Sequence, residues 1–323
     1  MRLVIAAALA WATVATAAHA EPQQSPVEVQ GPSGLLKGTM LAPDDAKGAP
    51  VVLIIPGSGP TDRDGDNPLG IKAAPYRLLA EALAGRGVTS VRIDKRGMFE
   101  SRAAAVDADK VTISDYAADA HAWAAELRRR TGAPCVWLLG HSEGALVAQA
   151  AAQDPRDLCG LVLIAGAGRP LGDVLREQLA AAPAFAADLP TALADLAQLQ
   201  KRQHVDATGM DPAMLSLFRP SVQDFLIDEL SYDPVKLLAA YRGPVLVLQG
   251  TADLQVSMAD AERLAGARPG IVLVRLDGVN HVLKVAPADR TGNLATYADP
   301  ALPLAPGVAD PIAAFVKAPP RAN

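Results

Sequence analysis

Short runs rich in aliphatic and β-branched residues recur along the chain, and helical spacing fills the intervals between them. Val27–Gln30 and Leu35–Leu41 flank Gly31-Pro32-Ser33-Gly34 and predict an opening antiparallel pair. Val51–Ile55 is apolar at every position, the pattern of a strand covered on both faces. Val88–Ile93, Cys135–Leu139, Leu161–Ile164, Val245–Gln249 and Val272–Leu276 predict further strands. Between them, Tyr76–Leu83, Asp115–Arg130, Glu143–Ala152 and Asp260–Leu264 carry helical periodicity, and Ala309–Val316 closes the pattern. Ser114 is the expected N-cap of the Asp115–Arg130 helix. Strands alternating with helices predict an α/β fold with a mostly parallel central sheet and helices on both faces.

The alternation fails between residues 167 and 241. That stretch holds no convincing strand but several helical segments, Leu175–Leu189, Thr191–Arg202 and Pro220–Glu229 the clearest, with Pro183 expected to break the first. It reads as a helical cap inserted over the ligand-binding edge of the sheet. The expected organisation is a core of residues 21–166 and 242–323 interrupted by a cap of residues 167–241.

Residues 1–20 stand apart. Arg2 precedes an apolar run that ends in Ala18-His19-Ala20, and Glu21-Pro22-Gln23-Gln24 follows. This is the layout of a cleavable signal peptide, and it predicts a periplasmic or secreted mature chain with no stable membrane insertion. Export leaves two readings of Cys135 and Cys159, each placed just before a predicted strand: a disulfide, or two buried thiols. Two cysteines without clustered histidines give no metal site. The formal charge is −5, with 20% of residues charged and 50% apolar. That balance supports one sizeable core and gives no electrostatic case for a nucleic-acid partner.

The strongest chemical signal is Gly140-His141-Ser142-Glu143-Gly144, a G-x-S-x-G element between a predicted strand and a predicted helix. Such a turn is too crowded for side chains at its two glycines, and it projects the serine hydroxyl from the sheet edge. Ser142 is therefore the candidate nucleophile. A serine hydroxyl needs a base. His19 falls in the leader, His141 in the turn itself, His121 in a helix and His204 in the insertion. His281 remains, in the loop after the last core strand. Asp253, in the turn after Val245–Gln249, is the first candidate to orient it, with Asp277 and Asp233 as weaker ones. The order Ser142, Asp253, His281 is that of an α/β-hydrolase. The loop Pro56-Gly-Ser-Gly-Pro-Thr-Asp-Arg-Asp-Gly65 follows the Val51–Ile55 strand. Its Ser58 amide, with Gly59 second, and the Glu143 amide are the expected oxyanion donors. Asp62, Asp64 and Asp66 in that loop lack the glycine and glutamate spacing of a calcium-binding EF-hand. Arg63 is expected to pair with nearby acids, and Asp94 and Arg96 to brace the pocket wall.

On these residues, with Asp94-Lys95-Arg96-Gly97, Val245–Val256 and Asn280-His281-Val282-Leu283-Lys284, the chain resembles bacterial α/β-hydrolases of the serine esterase and serine-aminopeptidase-like groups. The resemblance implies the α/β-hydrolase fold, no cofactor, and the roles already given to Ser142, Asp253, His281, Ser58 and Glu143. Many relatives open the oxyanion loop with His-Gly where this chain has Pro56-Gly57, so a side-chain donor is missing there. Relatives also carry a further glycine where this chain reads Gly97-Met98-Phe99, which is expected to narrow the pocket mouth. The function expected is hydrolysis of small to medium carboxylic esters through an acyl-enzyme on Ser142. The alternative is a serine peptidase or amidase with the same triad, and a non-catalytic binding protein is the third reading. The expected partner is a small ester or amide.

Overall fold

The structure is a computed structural model that describes residues 23–182 and 185–318. The leader expected over residues 1–20 and the helix break expected at Pro183 lie outside the described residues. In chain order the elements are β1 (Gln23–Gly31), β2 (Gly34–Ala42), β3 (Val51–Ile55), α1 (Pro75–Ala84), β4 (Thr89–Ile93), α2 (Ile113–Thr131), β5 (Val136–His141), α3 (Glu143–Ala151) and β6 (Leu158–Ile164). Five helices follow: α4 (Leu171–Ala181), α5 (Leu189–Gln200), α6 (Pro212–Phe218), α7 (Pro220–Glu229) and α8 (Pro234–Ala240). The chain closes with β7 (Val245–Gly250), α9 (Met258–Ala265), β8 (Val272–Leu276), α10 (Arg290–Ala295) and α11 (Ala309–Lys317).

The eight strands form one sheet in the order β1-β2-β4-β3-β5-β6-β7-β8. β1 and β2 run antiparallel to each other, and β2 runs antiparallel to β4; every pairing from β4 through β8 is parallel. The sheet is thus a parallel α/β sheet with an antiparallel edge, the α/β-hydrolase arrangement. Strands β3, β4, β5 and β7 are buried throughout because helices cover both faces. One face packs Leu53, Val91, Leu138, Leu163 and Val247 against Trp123, Leu127 and Val147 of α2 and α3. The other packs Val52, Ile54, Leu139, Val162 and Leu248 against Leu79 and Leu83 of α1 and Ile312 of α11. Helices α4 to α7 hold an apolar cluster of their own, including Leu179, Leu196, Leu199, Phe218 and Leu226.

Three local expectations need correction. The N-cap of α2 is Thr112, not Ser114. Its hydroxyl accepts from the Asp115 amide at 3.1 Å, and Asp115 Oδ2 accepts from the Thr112 amide at 3.0 Å. This reciprocal pair lets the helix begin two residues earlier and bury Ile113. The first inserted helix spans Leu171–Ala181 rather than Leu175–Leu189. Helix α10 was not foreseen; Asp289 starts it by accepting from the Gly292 amide at 2.7 Å. Cys135 and Cys159 form a disulfide, with Cα atoms 5.1 Å apart. Parallel pairing of β5 with β6 places the two residues side by side at one edge.

Candidate active site

Ser142 lies between β5 and α3 with φ 54° and ψ −121°, a left-handed conformation that L side chains adopt only under constraint. The constraint is packing. A Cβ on Gly140 would meet the Gly144 carbonyl oxygen at 2.0 Å, and a Cβ on Gly144 would meet the Ile55 carbonyl oxygen at 2.3 Å. Both positions therefore require glycine, as the crowding argument expects. The turn drives the Ser142 side chain into the space where two cavities meet, of about 280 and 310 Å³. Ser58, Ser142 and Gln255 line both. The first is walled by helices α4, α6 and α7 with Leu171, Val174, Leu175, Leu217 and Leu226. The second is walled by the 57–76 loop together with His281 and Val282.

His281 is buried, and its Nδ1 lies 2.8 Å from Asp253 Oδ2. Asp253 Oδ1 accepts from the Gln255 amide at 2.7 Å and the Val256 amide at 3.0 Å. Burial raises the Asp253 pKa, but His281 and these amides outweigh it and hold the carboxyl below its ordinary value. An ionised Asp253 on Nδ1 fixes the tautomer that leaves Nε2 free as an acceptor. The competing acids are engaged elsewhere. Asp277 is exposed and pairs with Arg275, and Asp233 caps α8 through the Val235 and Lys236 amides. Among the other histidines, His121 meets the Ala151 carbonyl, and His204 pairs with Asp224.

The loop bearing His281 and the loop bearing Asp253 are stitched together by residues whose role sequence reasoning missed. Asn293 Nδ2 donates to the Ala252 carbonyl at 2.8 Å, and Asn293 Oδ1 accepts from Asn280 Nδ2 at 3.0 Å. Asn280 Nδ2 also donates to Thr296 Oγ1 at 2.7 Å. The residues beside Asp253 and His281 are thereby tied to one helix, α10. The Asp289 cap ahead of Arg290-Thr291-Gly292-Asn293 was the available signal.

His141 also has a task. Its Nε2 lies 2.8 Å from the His281 carbonyl oxygen, which cannot donate, so Nε2 carries the proton. Nδ1 then accepts from the Tyr76 hydroxyl at 2.9 Å, and that hydroxyl accepts from the Gly57 amide at 3.0 Å. One hydrogen-bonded chain therefore links the oxyanion loop, the serine turn and the histidine loop. Burial, then the neighbouring His281, lowers the His141 pKa to about 3, so the ring is neutral. Burial raises the Tyr76 pKa, so the phenol keeps its proton.

The Ser58 and Glu143 amides donate to no acceptor among the described residues. Each is open to a ligand, and α3 directs its positive end at the same point. The charged loop is built in rather than solvated. Asp62 Oδ1 accepts from the amides of Asp64, Gly65 and Asp66. Arg63 bridges Asp94 at 2.5 Å and Glu100 at 2.7 Å. Arg96 does not brace the pocket, contrary to expectation. It reaches Asp119 at 2.6 Å and Asp115 and Ser33 at 3.0 Å, fastening α2 to the β1–β2 turn. Met98 and Phe99 line neither cavity beside Ser142, so they do not narrow its mouth.

Comparison with known proteins agrees with this fold. The chain is 27% identical to "Esterase EstD" of Thermotoga maritima over 258 residues, which is 77% of this chain and 58% of that protein. The chain thus spans somewhat more than half the length of that curated relative. Its fold is similar to a thermophilic esterase from Thermogutta terrifontis (21% identity, TM-score 0.52, 80% of this chain and 92% of that one). It is likewise similar to Est1E from Butyrivibrio proteoclasticus with ferulic acid bound (16% identity, TM-score 0.55, 84% and 95%). Residues 69–283, two thirds of the chain and inclusive of Ser142, Asp253 and His281, match the Hydrolase_4 model described as "Serine aminopeptidase, S33", and the protein belongs to that α/β-hydrolase family.

Proposed function

We propose that the protein is a carboxylic-ester hydrolase working through an acyl-enzyme on Ser142. The observation that carries the reading is the ionised Asp253 held on Nδ1 of a buried His281 that shares a cavity with the strained Ser142. In the first step Ser142 Oγ attacks the ester carbonyl carbon while His281 Nε2 takes the hydroxyl proton. The carbonyl oxygen becomes an anion received by the Ser58 and Glu143 amides. Collapse of the tetrahedral adduct expels the alcohol, protonated by His281. Water then attacks the acyl-enzyme, gives its proton to His281, and releases the acid as Ser142 recovers its proton. Asp253 stabilises the imidazolium in both halves. The two cavities meeting at Ser142 suit the two sides of an ester. The apolar wall of α4, α6 and α7 and the modest volume favour small to medium apolar groups.

A fluorophosphonate probe tests the nucleophile. Labelling by the wild type and none by Ser142→Ala is the expected result, and equal labelling of both removes Ser142 from the role. A panel of short acyl esters and aminoacyl amides tests the bond. Turnover confined to the amides overturns the esterase reading.

One observation favours a second reading, peptidase or amidase activity. Glu229 of α7 is 8% exposed, lines the smaller cavity with Ser142, and its carboxylate accepts no hydrogen bond from any described residue. Burial, then Glu143, raises its pKa well above the ordinary glutamate range. A substrate ammonium would relieve that carboxyl. On this reading Glu229→Gln lowers turnover of aminoacyl amides and leaves simple acyl esters unaffected.

We further propose that the mature chain acts outside the cytoplasm. The composition of residues 1–20 and the Cys135–Cys159 disulfide support this. Cell fractionation tests it: retention of the full-length chain in the cytoplasm contradicts it.

A further inference from the structure

Lys95 follows β4, and its ammonium is enclosed between Gly57, whose carbonyl shares a peptide with the Ser58 amide, and the side chain of Glu143. Its side chain is 2% exposed, and that of Glu143, its partner, 3%. Lys95 Nζ donates to the Gly57 carbonyl at 2.7 Å and to Glu143 Oε1 at 2.8 Å. It stands over the Tyr116 ring, 5.0 Å from the centroid. Two of the three donors of the ammonium are thus used in hydrogen bonds, and an aromatic face lies beside the charge. Hydrolysis as proposed above gives no proton-transfer task to this group.

The Gly57 carbonyl belongs to the same planar peptide unit as the Ser58 amide. In a trans peptide C=O and N–H point to opposite sides of the bond, so fixing one fixes the other. The Gly57 amide on the preceding peptide is held by the Tyr76 hydroxyl at 3.0 Å. Gly57 itself lies against the nucleophile: a Cβ there would fall 3.3 Å from Ser142 Cβ. No side chain on Gly57 assists in setting the loop, and Pro56 offers no donor. Orientation of the Ser58 N–H toward the cavity that Ser58 lines therefore depends on what grips the Gly57 oxygen. That grip is cationic, and a carbonyl accepting from a cation makes the N–H across the same peptide a stronger donor. The other contact of Lys95 is with the side chain of Glu143, whose own amide is the second donor.

We infer that Lys95 is a positioning residue of the oxyanion site, aligning the Ser58 and Glu143 amides through the Gly57 carbonyl and the Glu143 carboxylate and strengthening the Ser58 donor. The inference rests on the hydrolase reading. It predicts that loss of Lys95 damages stabilisation of the tetrahedral adduct and leaves ground-state binding intact.

The test uses Lys95→Met and the double variant Lys95→Met with Glu143→Gln. The double variant leaves no partnerless charge where the ion pair was, and it serves if the single variant fails to fold. Turnover of p-nitrophenyl butyrate and inhibition by butylboronic acid, which forms a tetrahedral adduct on serine, are measured for each. Wild-type turnover that vanishes in Ser142→Ala establishes the hydrolase reading first; without it, that reading fails before Lys95 is judged. The expected result is a kcat lower by about 10²-fold, comparable with loss of one oxyanion donor. KM stays within about threefold, the signature of an interaction made in the transition state. Butylboronic acid affinity falls in parallel with kcat, and Lys95→Arg, which retains a charged donor, recovers part of the loss. A folded double variant with kcat near that of wild type overturns the inference. So does a defect confined to KM, or an unchanged boronate affinity beside a reduced kcat.

Discussion

Replacing His141 by Gln removes a titrating group and keeps both of its hydrogen-bonding tasks: Nε2 can donate to the His281 carbonyl and Oε1 can accept from Tyr76. The wild-type ring is buried and neutral, with a pKa lowered to about 3 by burial and by His281. In the unfolded chain an imidazole titrates near pH 6.5, as an approximate model value. Between these limits the unfolded state binds a proton that the folded state refuses, so stability rises with pH across the window. The contribution is complete above about pH 6.5 and is lost as the pH falls toward 3, at about 1.4 kcal/mol per pH unit. From pH 6.5 to 4.5 the loss due to this ring is about 2 kcal/mol. Urea unfolding followed by the fluorescence of buried Trp123 and Trp137 at pH 7.5, 6.5, 5.5 and 4.5 reads this directly. Every other titratable side chain is common to both proteins, so the difference between the two curves reports on residue 141. The wild type is expected to be the more stable at pH 7.5, and its advantage is expected to shrink by about 2.7 kcal/mol by pH 4.5. Curves that stay parallel across the range refute the neutral, doubly bonded imidazole.

Asp253→Asn presents an amide to His281 Nδ1 and favours the wrong tautomer; kcat is expected to fall by about 10⁴-fold with KM little changed, read by steady-state ester hydrolysis. Asn293→Ala removes the tie between the Asp253 and His281 loops. It is expected to cost about 1–3 kcal/mol of stability, measured by urea unfolding, with kcat falling more than the affinity for substrate. Gly144→Ala places a Cβ against the Ile55 backbone, and loss of both activity and thermal stability is expected by calorimetry and ester assay. Changing Cys135 and Cys159 together to Ser releases a covalent link of sequence separation 24 and is expected to lower stability by about 3.5 kcal/mol, measured by urea unfolding of the oxidised wild type beside the variant.

The sheet was readable because its strands are buried on both faces and are bounded by turn residues. Val51–Ile55 was placed to the residue, and the serine turn was found through the two glycines that crowding demands. Asp253 and His281 were found by position: each follows a strand at the same edge, and topology alone brings them together. Two kinds of feature stayed out of reach. Helix α10 has six residues and little apolar periodicity, so its capping aspartate was its main mark. The polar networks were harder still. Nothing in the sequence says that His141 reaches the carbonyl of a residue 140 positions later, or that Lys95 meets the Gly57 oxygen. Such bonds depend on side-chain direction after folding, and each partner has an equally ordinary surface reading. The charged residues misread as pocket walls, Arg96 above all, show the same limit from the other side.

The inserted helices are constructed differently from the chemistry beneath them. Helices α4 to α7 carry their own apolar cluster, so their packing does not depend on the serine turn. They are attached to the core by the Phe225 ring, which packs edge-on to Tyr116 of α2, and by polar ties. Arg169 grips Asp260 of α9 through Nε at 2.8 Å and Nη2 at 2.9 Å, and Asp228 accepts from the Ile113 amide at 2.9 Å where α2 begins. Both ties use groups that terminate core helices: Asp260 also belongs to the Ser257 capping box, and Ile113 opens α2. A helix terminus has unsatisfied amides and a fixed position, which makes it a secure anchor for a segment of different sequence. The cavity wall facing Ser142, including Leu171, Val174, Leu226 and Glu229, can therefore change while Ser142, His281 and Asp253 keep their geometry. On the proposed function, selectivity and bond chemistry fall to separate apolar clusters. Substitutions along the inner face of α4 and α7 should accordingly move KM and substrate preference, whereas those in the Gly57–Tyr76–His141 chain should move kcat.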